Sequence, residues 1–284
     1  MRLANRLRLP CVVGLALALC CLAFLGRSGE AVADQPSPTP KRVLLVGKQP
    51  DHPYGTHMYL PTCRLLAHCL EQTPGVETVV SDGWPNDSAG RFDAIVVYSA
   101  PIAHEFFTGP HRDEVTRQLD QGAGLVTLHW ATGVKEENWD RVSPVLAEYQ
   151  GGRWLSHSGQ VMIGESTLLK LKPDHPVSRG WELPLLRDEW YLNPIIAPGA
   201  TPQWQVDAEG ETLVVAWSHT RQNGGRAFAI TVGHFWENFT HEPFRRAVVN
   251  AILWSAKIEV PPSGAPVDLT EEVLRLPPRE DGEN

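Results

Sequence analysis

Four short apolar runs rich in β-branched residues restrict the fold of this chain more than any other feature. Each is six to nine residues long and is bounded by polar or glycine-containing loops, and the first of them, residues 42–47, has the pattern of a strand buried on both faces. The runs are RVLLVG (42–47), VETVVS (76–81), FDAIVVYSA (92–100) and GLVTLH (124–129).

Helical patterns separate these runs. The segment TCRLLAHCLEQ (62–72) places Leu66, Cys69 and Leu70 on one side of a helix, and HRDEVTRQLDQG (111–122) is a helix that ends at Gly122. Strands that alternate with helices at this spacing predict a parallel, doubly wound α/β sheet.

The second half has a different pattern. Residues 160–171 predict an extended, partly exposed strand, and RQNGG (221–225) between two apolar runs predicts a hairpin. Residues 242–257 form an amphipathic helix pattern. We therefore expect antiparallel strands at one edge of the parallel sheet. The positions of the last helix that should face inward are Phe244, Val248, Ile252 and Leu253.

The first 33 residues have the pattern of a secretory signal peptide. Three arginines precede an apolar run (11–25) that is short for a membrane span, and small residues at Ala31 and Ala33 suit cleavage after Ala33. We expect residues 34–41 to be a leader to the fold, residues 42–260 to be one domain and residues 261–284 to be a Pro-rich, acidic tail. The prediction is a periplasmic or extracellular protein without a membrane anchor after cleavage.

The net charge of the chain restricts the classes of molecule that the protein can bind. The chain has a net charge of −8, and the predicted signal peptide removes four arginines but one glutamate, so the exported form is more acidic. This balance argues against nucleic acid as a partner.

The two cysteines left after cleavage, Cys63 and Cys69, are six residues apart in a predicted helix and point to different faces, so we expect no disulfide between them. The oligomeric state does not follow from the sequence.

Several histidines stand where predicted strands end. His52 and His57 follow the first strand, His104 follows the third, His129 ends the fourth and His234 ends the last. Since the carboxyl ends of parallel strands open on one edge of a sheet, these side chains can converge there. Imidazole transfers protons near neutral pH and binds metals. Separate surface and core roles remain the alternative for each histidine.

The segment RDEWYLN (187–193) is a second candidate. Asp188 and Glu189 are adjacent carboxylates beside Trp190 and Tyr191, and an aromatic wall can raise the pKa of a carboxyl group until it suits general acid or base catalysis. The ten tryptophans, Trp130 among them, suit the flat face of a sugar, although filling of the core explains them equally well. The chain has no nucleophile elbow, phosphate loop or HExxH motif.

Six blocks in order along residues 42–260 resemble the ThuA-like (trehalose-utilisation) family. They are LLVGKQPDHPYGTHMY, DGWPND, DAIVVYSA, GAGLVTLHWATG, HPVSRGWELPLLRDEWY and GGRAFAITVGHFWENF. The resemblance implies a flavodoxin-like, class I glutamine amidotransferase-like parallel sheet flanked by helices, with antiparallel edge strands. It does not imply glutaminase activity, because His129 stands near the turn where true amidotransferases have a cysteine.

The resemblance also implies a role in the metabolism of disaccharides or keto-sugars. Its recurring polar positions match His57, His129, Asp188, Glu189 and His234. We predict that His129, Glu189 and Asp188 are catalytic, and that His57, His234, Trp130, Trp190 and Tyr191 bind a small-molecule sugar. In related sequences a second histidine often stands where this chain has Trp236, so a metal site built as in those relatives would lose one ligand here.

Two classes of function remain open at this stage. The first is a sugar-acting lyase, isomerase or hydrolase that uses His and Glu acid–base chemistry, either without a cofactor or with a divalent metal on some of His52, His57, His129 and His234. The second is a non-catalytic carbohydrate-binding or accessory module, which the many tryptophans and the acidic surface fit as well.

Overall fold

The computed structural model describes residues 39–85, 90–100, 103–156 and 160–278. The predicted signal peptide and most of the leader lie outside these residues. No helix in the described part of the chain is long and apolar enough to span a bilayer.

The strands follow one another along the chain as β1 (Lys41–Val46), β2 (Val76–Ser81), β3 (Ala94–Tyr98), β4 (Gly124–Leu128), β5 (Gly133–Val134), β6 (Gly152–Leu155), β7 (Val161–Thr167), β8 (Leu169–Lys170), β9 (Leu185–Tyr191), β10 (Ile195–Ile196), β11 (Thr201–Ala208), β12 (Glu211–Thr220) and β13 (Arg226–Ile230). The α-helices are α1 (Tyr59–Leu70), α2 (Ala103–Thr108), α3 (Arg112–Asp120), α4 (Trp139–Tyr149), α5 (Trp236–Thr240), α6 (Glu242–Ser255) and α7 (Glu271–Leu274). Short 3₁₀ turns cover His129–Thr132, Glu136–Asn138 and Pro176–Ser178.

Eight of these strands form the central sheet, in the order β2-β1-β3-β4-β13-β12-β11-β8. Neighbours from β2 to β13 are parallel, and β12, β11 and β8 add antiparallel strands at one edge. This arrangement is flavodoxin-like and glutamine amidotransferase-like, and it confirms the predicted parallel sheet with its antiparallel edge. The predicted hairpin is also confirmed, because residues 221–225 join the antiparallel pair β12 and β13.

Strand β1 shows why the core has two layers. Val43 and Leu45 pack with α1 and α6 on one face of the sheet, whereas Leu44 and Val46 pack with α2, α3 and α4 on the other. Alternate side chains of a strand point to opposite faces, so a continuous apolar run is required here. The four positions of α6 predicted to face inward are all fully buried.

The expected strand over residues 160–171 is divided in two by Leu168. Its first part, β7, pairs with β9 in a separate two-stranded ribbon, and its second part, β8, closes the edge of the main sheet. The predicted tail packs against the body as far as Pro277, whose carbonyl oxygen accepts from the Tyr54 hydroxyl at 2.6 Å. Ala265 and Val267 are buried, and Arg245 Nε donates to the Val267 carbonyl oxygen at 3.1 Å.

Candidate active site

Three loops bring His57, His129 and His234 together at the carboxyl edge of the sheet. The loops follow β1, β4 and β13, and β4 lies directly beside β13. Two backbone hydrogen bonds join the first loop to the last: His57 N donates to the His234 carbonyl oxygen and Trp236 N donates to that of Gly55, both at 2.9 Å. The convergence therefore follows from the parallel topology.

Two of these histidines have a backbone conformation that residues with a side chain rarely adopt. The φ angle is 47° at His57 and 51° at His129, which is the left-handed region. Such a conformation persists only where surrounding contacts enforce it, and it is concentrated at functional sites. At His129 it turns the chain out of β4 at once, and Thr132 Oγ1 stabilises the turn by donating to the His129 carbonyl oxygen at 2.7 Å.

The imidazole nitrogens of the three histidines meet at one point. His57 Nε2 lies 3.0 Å from His129 Nε2 and 3.0 Å from His234 Nδ1, and the last two atoms are 3.2 Å apart. All three side chains are buried. Glu189 Oε2 lies 3.5 Å from both His129 Nε2 and His234 Nδ1. Three nitrogens and one carboxylate thus share a small enclosed volume.

Neighbouring acceptors determine where two of these imidazoles carry their protons. His129 Nδ1 is 2.8 Å from the Thr231 carbonyl oxygen and must donate to it, which leaves a lone pair on Nε2. His57 Nδ1 is 3.0 Å from Asp51 Oδ1 and donates to it in the same way. Burial raises the pKa of Asp51, but hydrogen bonds and charges of His57 and His52 outweigh burial and lower it to about 2, so Asp51 is an ionised acceptor.

Two lone pairs therefore face each other at 3.0 Å with no proton between them. Burial lowers the pKa of His129 well below its usual value and lowers that of His234 to about 3, and in both cases the neighbouring His57 adds to the effect. Burial also lowers the pKa of His57. All three imidazoles are neutral at pH 7. One proton on His234 Nδ1 can satisfy only one of the two lone pairs, whereas a cation can satisfy both.

Glu189 and Tyr191 reach the cluster from strand β9. They are two residues apart and so lie on one face of the strand. The Tyr191 hydroxyl is 3.2 Å from His129 Nε2. Glu189 remains 18% exposed, and burial raises its pKa. Glu189 thus lies at the solvent-facing side of the cluster, and the pKa of its carboxyl group is higher than usual.

Asp188 and Trp190 lie on the opposite face of β9 and point away from the histidines' ring nitrogens. The Asp188 carboxylate is fully buried and accepts from the backbone N–H groups of Glu189, Gly233 and His234 and from Asn238 Nδ2, at 2.7–2.9 Å. Burial raises its pKa to about 7 against these bonds. Trp190 is fully buried in the core. This placement differs from the catalytic role expected for Asp188 and the sugar-binding role expected for Trp190.

Trp130 and His52 lie at the rim of the cluster. The half-buried Trp130 ring is 5.5 Å from the His52 ring and 5.7 Å from the His57 ring, measured between centroids. His52 is partly exposed, its ring lies 3.6 Å from that of His57, and its Nδ1 contacts Asp51 at 2.8 Å. His52 therefore supports His57 rather than facing the other nitrogens. The side chain of His104 lies outside the described residues.

Three residues with a part in the site were not singled out in the sequence. Asp51 orients His57, and the only signal was its place directly before His52 in the loop. The Tyr59 hydroxyl lies 2.7 Å from His57 Nδ1. The Trp154 ring stacks on the Tyr191 ring at 3.9 Å. Nothing in the local pattern marks Tyr59 or Trp154, because both come to the site through tertiary packing.

Neither cysteine is placed to act as a nucleophilic thiol. Cys63 and Cys69 are both buried in α1 as free thiols. Burial raises the pKa of Cys69 to about 12 and that of Cys63 further still.

Trp236, where related sequences often have a histidine, is buried and donates from Nε1 to the Leu274 carbonyl oxygen at 3.1 Å. Residue 236 therefore supplies no ligand in this chain, and Glu189 is the fourth polar group beside the three imidazoles.

Solved structures with this fold include two ThuA-like proteins. One, from Bacteroides uniformis, is 15% identical, with a TM-score of 0.59, over 84% of this chain and 99% of that one. The other, from Parabacteroides merdae, is also 15% identical, with a TM-score of 0.54, over 76% and 90%. A cytoplasmic protein from Salmonella typhimurium is 12% identical, with a TM-score of 0.54, over 75% and 99%. At these identities the likeness shows the fold alone.

A match to a family of sequences is more informative than these structural similarities. No curated protein matches the chain. The model of the ThuA family, described as trehalose utilisation, matches residues 42–255, which include every histidine of the cluster and Glu189. The chain belongs to the ThuA family.

Proposed function

We propose that this protein is a metal-assisted, sugar-acting enzyme in which His57, His129 and His234 bind a divalent metal and Glu189 transfers protons. The observation that carries the proposal is the separation of 3.0 Å between His57 Nε2 and His129 Nε2, which both carry a lone pair when the Nδ1 atoms donate to Asp51 and to the Thr231 carbonyl oxygen. Neutral, buried imidazoles arranged in this way repel one another unless a cation lies between them.

The donor set suits such an ion. Three imidazoles match the three-ligand sites of catalytic zinc, in which a fourth position stays open to water or substrate, and the Glu189 carboxylate lies beside them. Ligand nitrogens about 2.0–2.1 Å from one tetrahedral ion are roughly 3.3 Å apart, and the observed separations are 3.0–3.2 Å. The N–H bonds to Asp51 and Thr231 supply the outer contacts that orient ligating histidines.

The chemistry would be proton abstraction beside a carbonyl group. A metal bound here would polarise that carbonyl oxygen. Glu189 would remove the proton from the adjacent carbon and return it to the product, because its carboxyl group lies beside the three imidazoles and is partly exposed. Tyr191 would hold the oxygen that gains charge with its hydroxyl. Asp188 would position His234 through the backbone of residues 233 and 234.

A carbohydrate is the substrate class that the site supports best. The Trp130 ring at the rim can stack on the flat face of a sugar, and the family is described as acting in trehalose utilisation. A keto-sugar supplies the carbonyl that the proposed chemistry requires. Export by residues 1–33 would place the reaction in the periplasm or outside the cell, and burial of both cysteines favours His and Glu chemistry over that of a glutaminase.

The test is a proton NMR time course on the protein from residue 34 onward. It is mixed with trehalose and, separately, with 3-keto-trehalose, in the presence of Zn²⁺, and is compared with His129→Gln and Glu189→Gln. We expect wild type alone to convert the keto-sugar. If neither sugar changes while wild type and both variants broaden the sugar lines equally, the protein is a carbohydrate-binding or accessory module instead.

A further inference from the structure

Two large aliphatic side chains lie exposed beside the proposed active site. Val161 and Ile163 on β7 are 46% and 51% exposed. The residues between and after them, Met162 and Gly164, point the other way, and Met162 packs against the core. A strand with one solvated face normally carries polar residues on that face, so two neighbouring aliphatic side chains there require an explanation.

The pairing register places these side chains next to the residues that face the histidines. Val161 lies opposite Tyr191 and Ile163 lies opposite Glu189 in the antiparallel pair β7–β9. Side chains of residues directly opposite each other emerge on the same face, with Cβ atoms about 4.5–5.5 Å apart. Since Glu189 and Tyr191 reach the His129 ring, Val161 and Ile163 continue the same surface outward from the site.

This apolar surface extends over only two cross-strand pairs of β7 and β9, Val161 with Tyr191 and Ile163 with Glu189. The next pair along the ribbon is Glu165 with Arg187, both exposed and charged. Two half-exposed side chains fall far short of the roughly 800 Å² per partner that a stable protein interface buries. An area of this size matches one ring or a short alkyl chain of a ligand that is held at Glu189.

We propose that Val161 and Ile163 form an apolar subsite for the group attached to the sugar, so that the ligand is a glycoside with an aryl or alkyl substituent. The inference rests on the proposed function for the sugar position and adds the class of the attached group. The sugar would lie at Glu189 and Trp130, and the attached group would cover Ile163 and Val161, removing their apolar surface from water.

Phenyl and methyl β-D-glucoside test the subsite, because the sugar is the same and only the attached group differs. Dissociation constants are measured by NMR titration of the Zn²⁺-treated protein, with saturation transfer to identify which ligand protons contact it. We expect wild type to bind the phenyl glycoside at least about tenfold more tightly, since a phenyl ring buries several more carbons than a methyl group. Saturation should reach the phenyl protons.

The variants keep the strand intact. Ile163→Thr and Val161→Thr retain β-branched residues of strand propensity, and Leu185→Thr is the matched control because Leu185 is 59% exposed on the same face beyond the charged pair. The first two together should bring the preference for phenyl down to about twofold and leave methyl glucoside binding unchanged. Leu185→Thr should change neither.

Equal binding of the two glycosides by wild type, or no binding of either, would overturn the subsite. So would a loss of phenyl preference in Leu185→Thr as large as in the other variants. The outcome is separable from the proposed function, which depends on keto-sugar turnover: turnover without a phenyl preference rejects the subsite alone, and a phenyl preference lost in the Ile163 and Val161 variants without turnover retains it.

Discussion

At the scale of single residues, adjacent carboxylates on one strand have different surroundings and so different expected roles. Glu189 faces the histidines and keeps some exposure, whereas Asp188 is enclosed by four N–H donors. Alternation along a strand separates them, since successive side chains point to opposite faces. One should transfer protons and the other should maintain the loop that carries His234.

Glu189→Gln should therefore abolish turnover without abolishing metal binding. We expect a fall in turnover of about 10²–10⁴-fold, because an amide cannot take up the proton. Equilibrium dialysis should show Zn²⁺ bound within a few-fold of wild type, whereas His129→Gln should lose it. The exposed histidine variant His68→Gln is the control for both assays. Undiminished turnover by Glu189→Gln would remove Glu189 from the mechanism.

Asp188→Asn should destabilise the fold. An amide nitrogen in place of one oxygen would face the backbone N–H groups of Gly233 or His234 and leave a buried donor unsatisfied, at a cost of about 1–3 kcal/mol. Urea unfolding at about pH 8.5, above the pKa of about 7 that burial gives Asp188, measures the change. Asp174→Asn, at an exposed position, should stay within about 0.5 kcal/mol of wild type. An equally small change for Asp188→Asn would show that Asp188 does not hold the loop that carries His234.

At the scale of elements, the parallel strands were predictable and β9 was not. Strands β1, β3 and β4 are mainly apolar runs because both of their faces are buried, whereas β2, at the edge of the sheet, is mostly half-buried. In β9 the exposed positions include Leu185 and the buried ones include Asp188, which reverses the usual pattern. The partners that make this tolerable, Gly233 and His234, lie 45 and 46 residues away, so no local pattern could reveal them.

For the histidines too, one property could be predicted from the sequence and another depends on contacts in the folded chain. Positions at strand ends predicted that several histidines, His57, His129 and His234 among them, could converge, because the carboxyl ends of parallel strands open on one edge of the sheet. The direction in which each ring nitrogen points depends on Asp51 and the Thr231 carbonyl oxygen, which are contacts of the folded chain. Sequence reasoning could thus indicate the edge of the sheet but not the proton arrangement that favours a cation.

The 3₁₀ turn Pro176–Ser178, which directly follows His175, should make stability depend on pH. Burial, with the charges of Arg226 and Arg179 adding to it, lowers the pKa of His175 to about 4 from its usual 6.5. Between pH 6.5 and 4 the unfolded chain binds the proton and the folded chain does not, so this contribution to stability is lost as pH falls through that window.

Urea unfolding of wild type and His175→Asn from pH 7.5 to 4 checks this dependence. The wild type should lose more stability than the variant across the window from 6.5 to 4, and the two curves should run parallel above it. Parallel curves over the whole range would show that His175 titrates alike in both states.

At the scale of the whole molecule, a metal bound by three loops of the sheet should stabilise the fold. The ligands follow β1, β4 and β13, so an ion that binds only the folded chain links distant segments. At a free Zn²⁺ concentration 100 times the dissociation constant we expect about 2.7 kcal/mol, or roughly 5–10 °C in the unfolding temperature. Thermal unfolding of EDTA-treated protein with and without Zn²⁺ measures the shift, which should vanish in His129→Gln.

The most direct test of the metal centre is a Co²⁺ titration of EDTA-treated protein followed by visible absorption. Co²⁺ reports its own coordination, because four- and five-coordinate ions absorb far more strongly than the hydrated ion. We predict strong bands that saturate at one equivalent in wild type and do not develop in His129→Gln. If wild type gave only the weak spectrum of hydrated Co²⁺, the three histidines would not form a metal site and the proposed mechanism would be wrong.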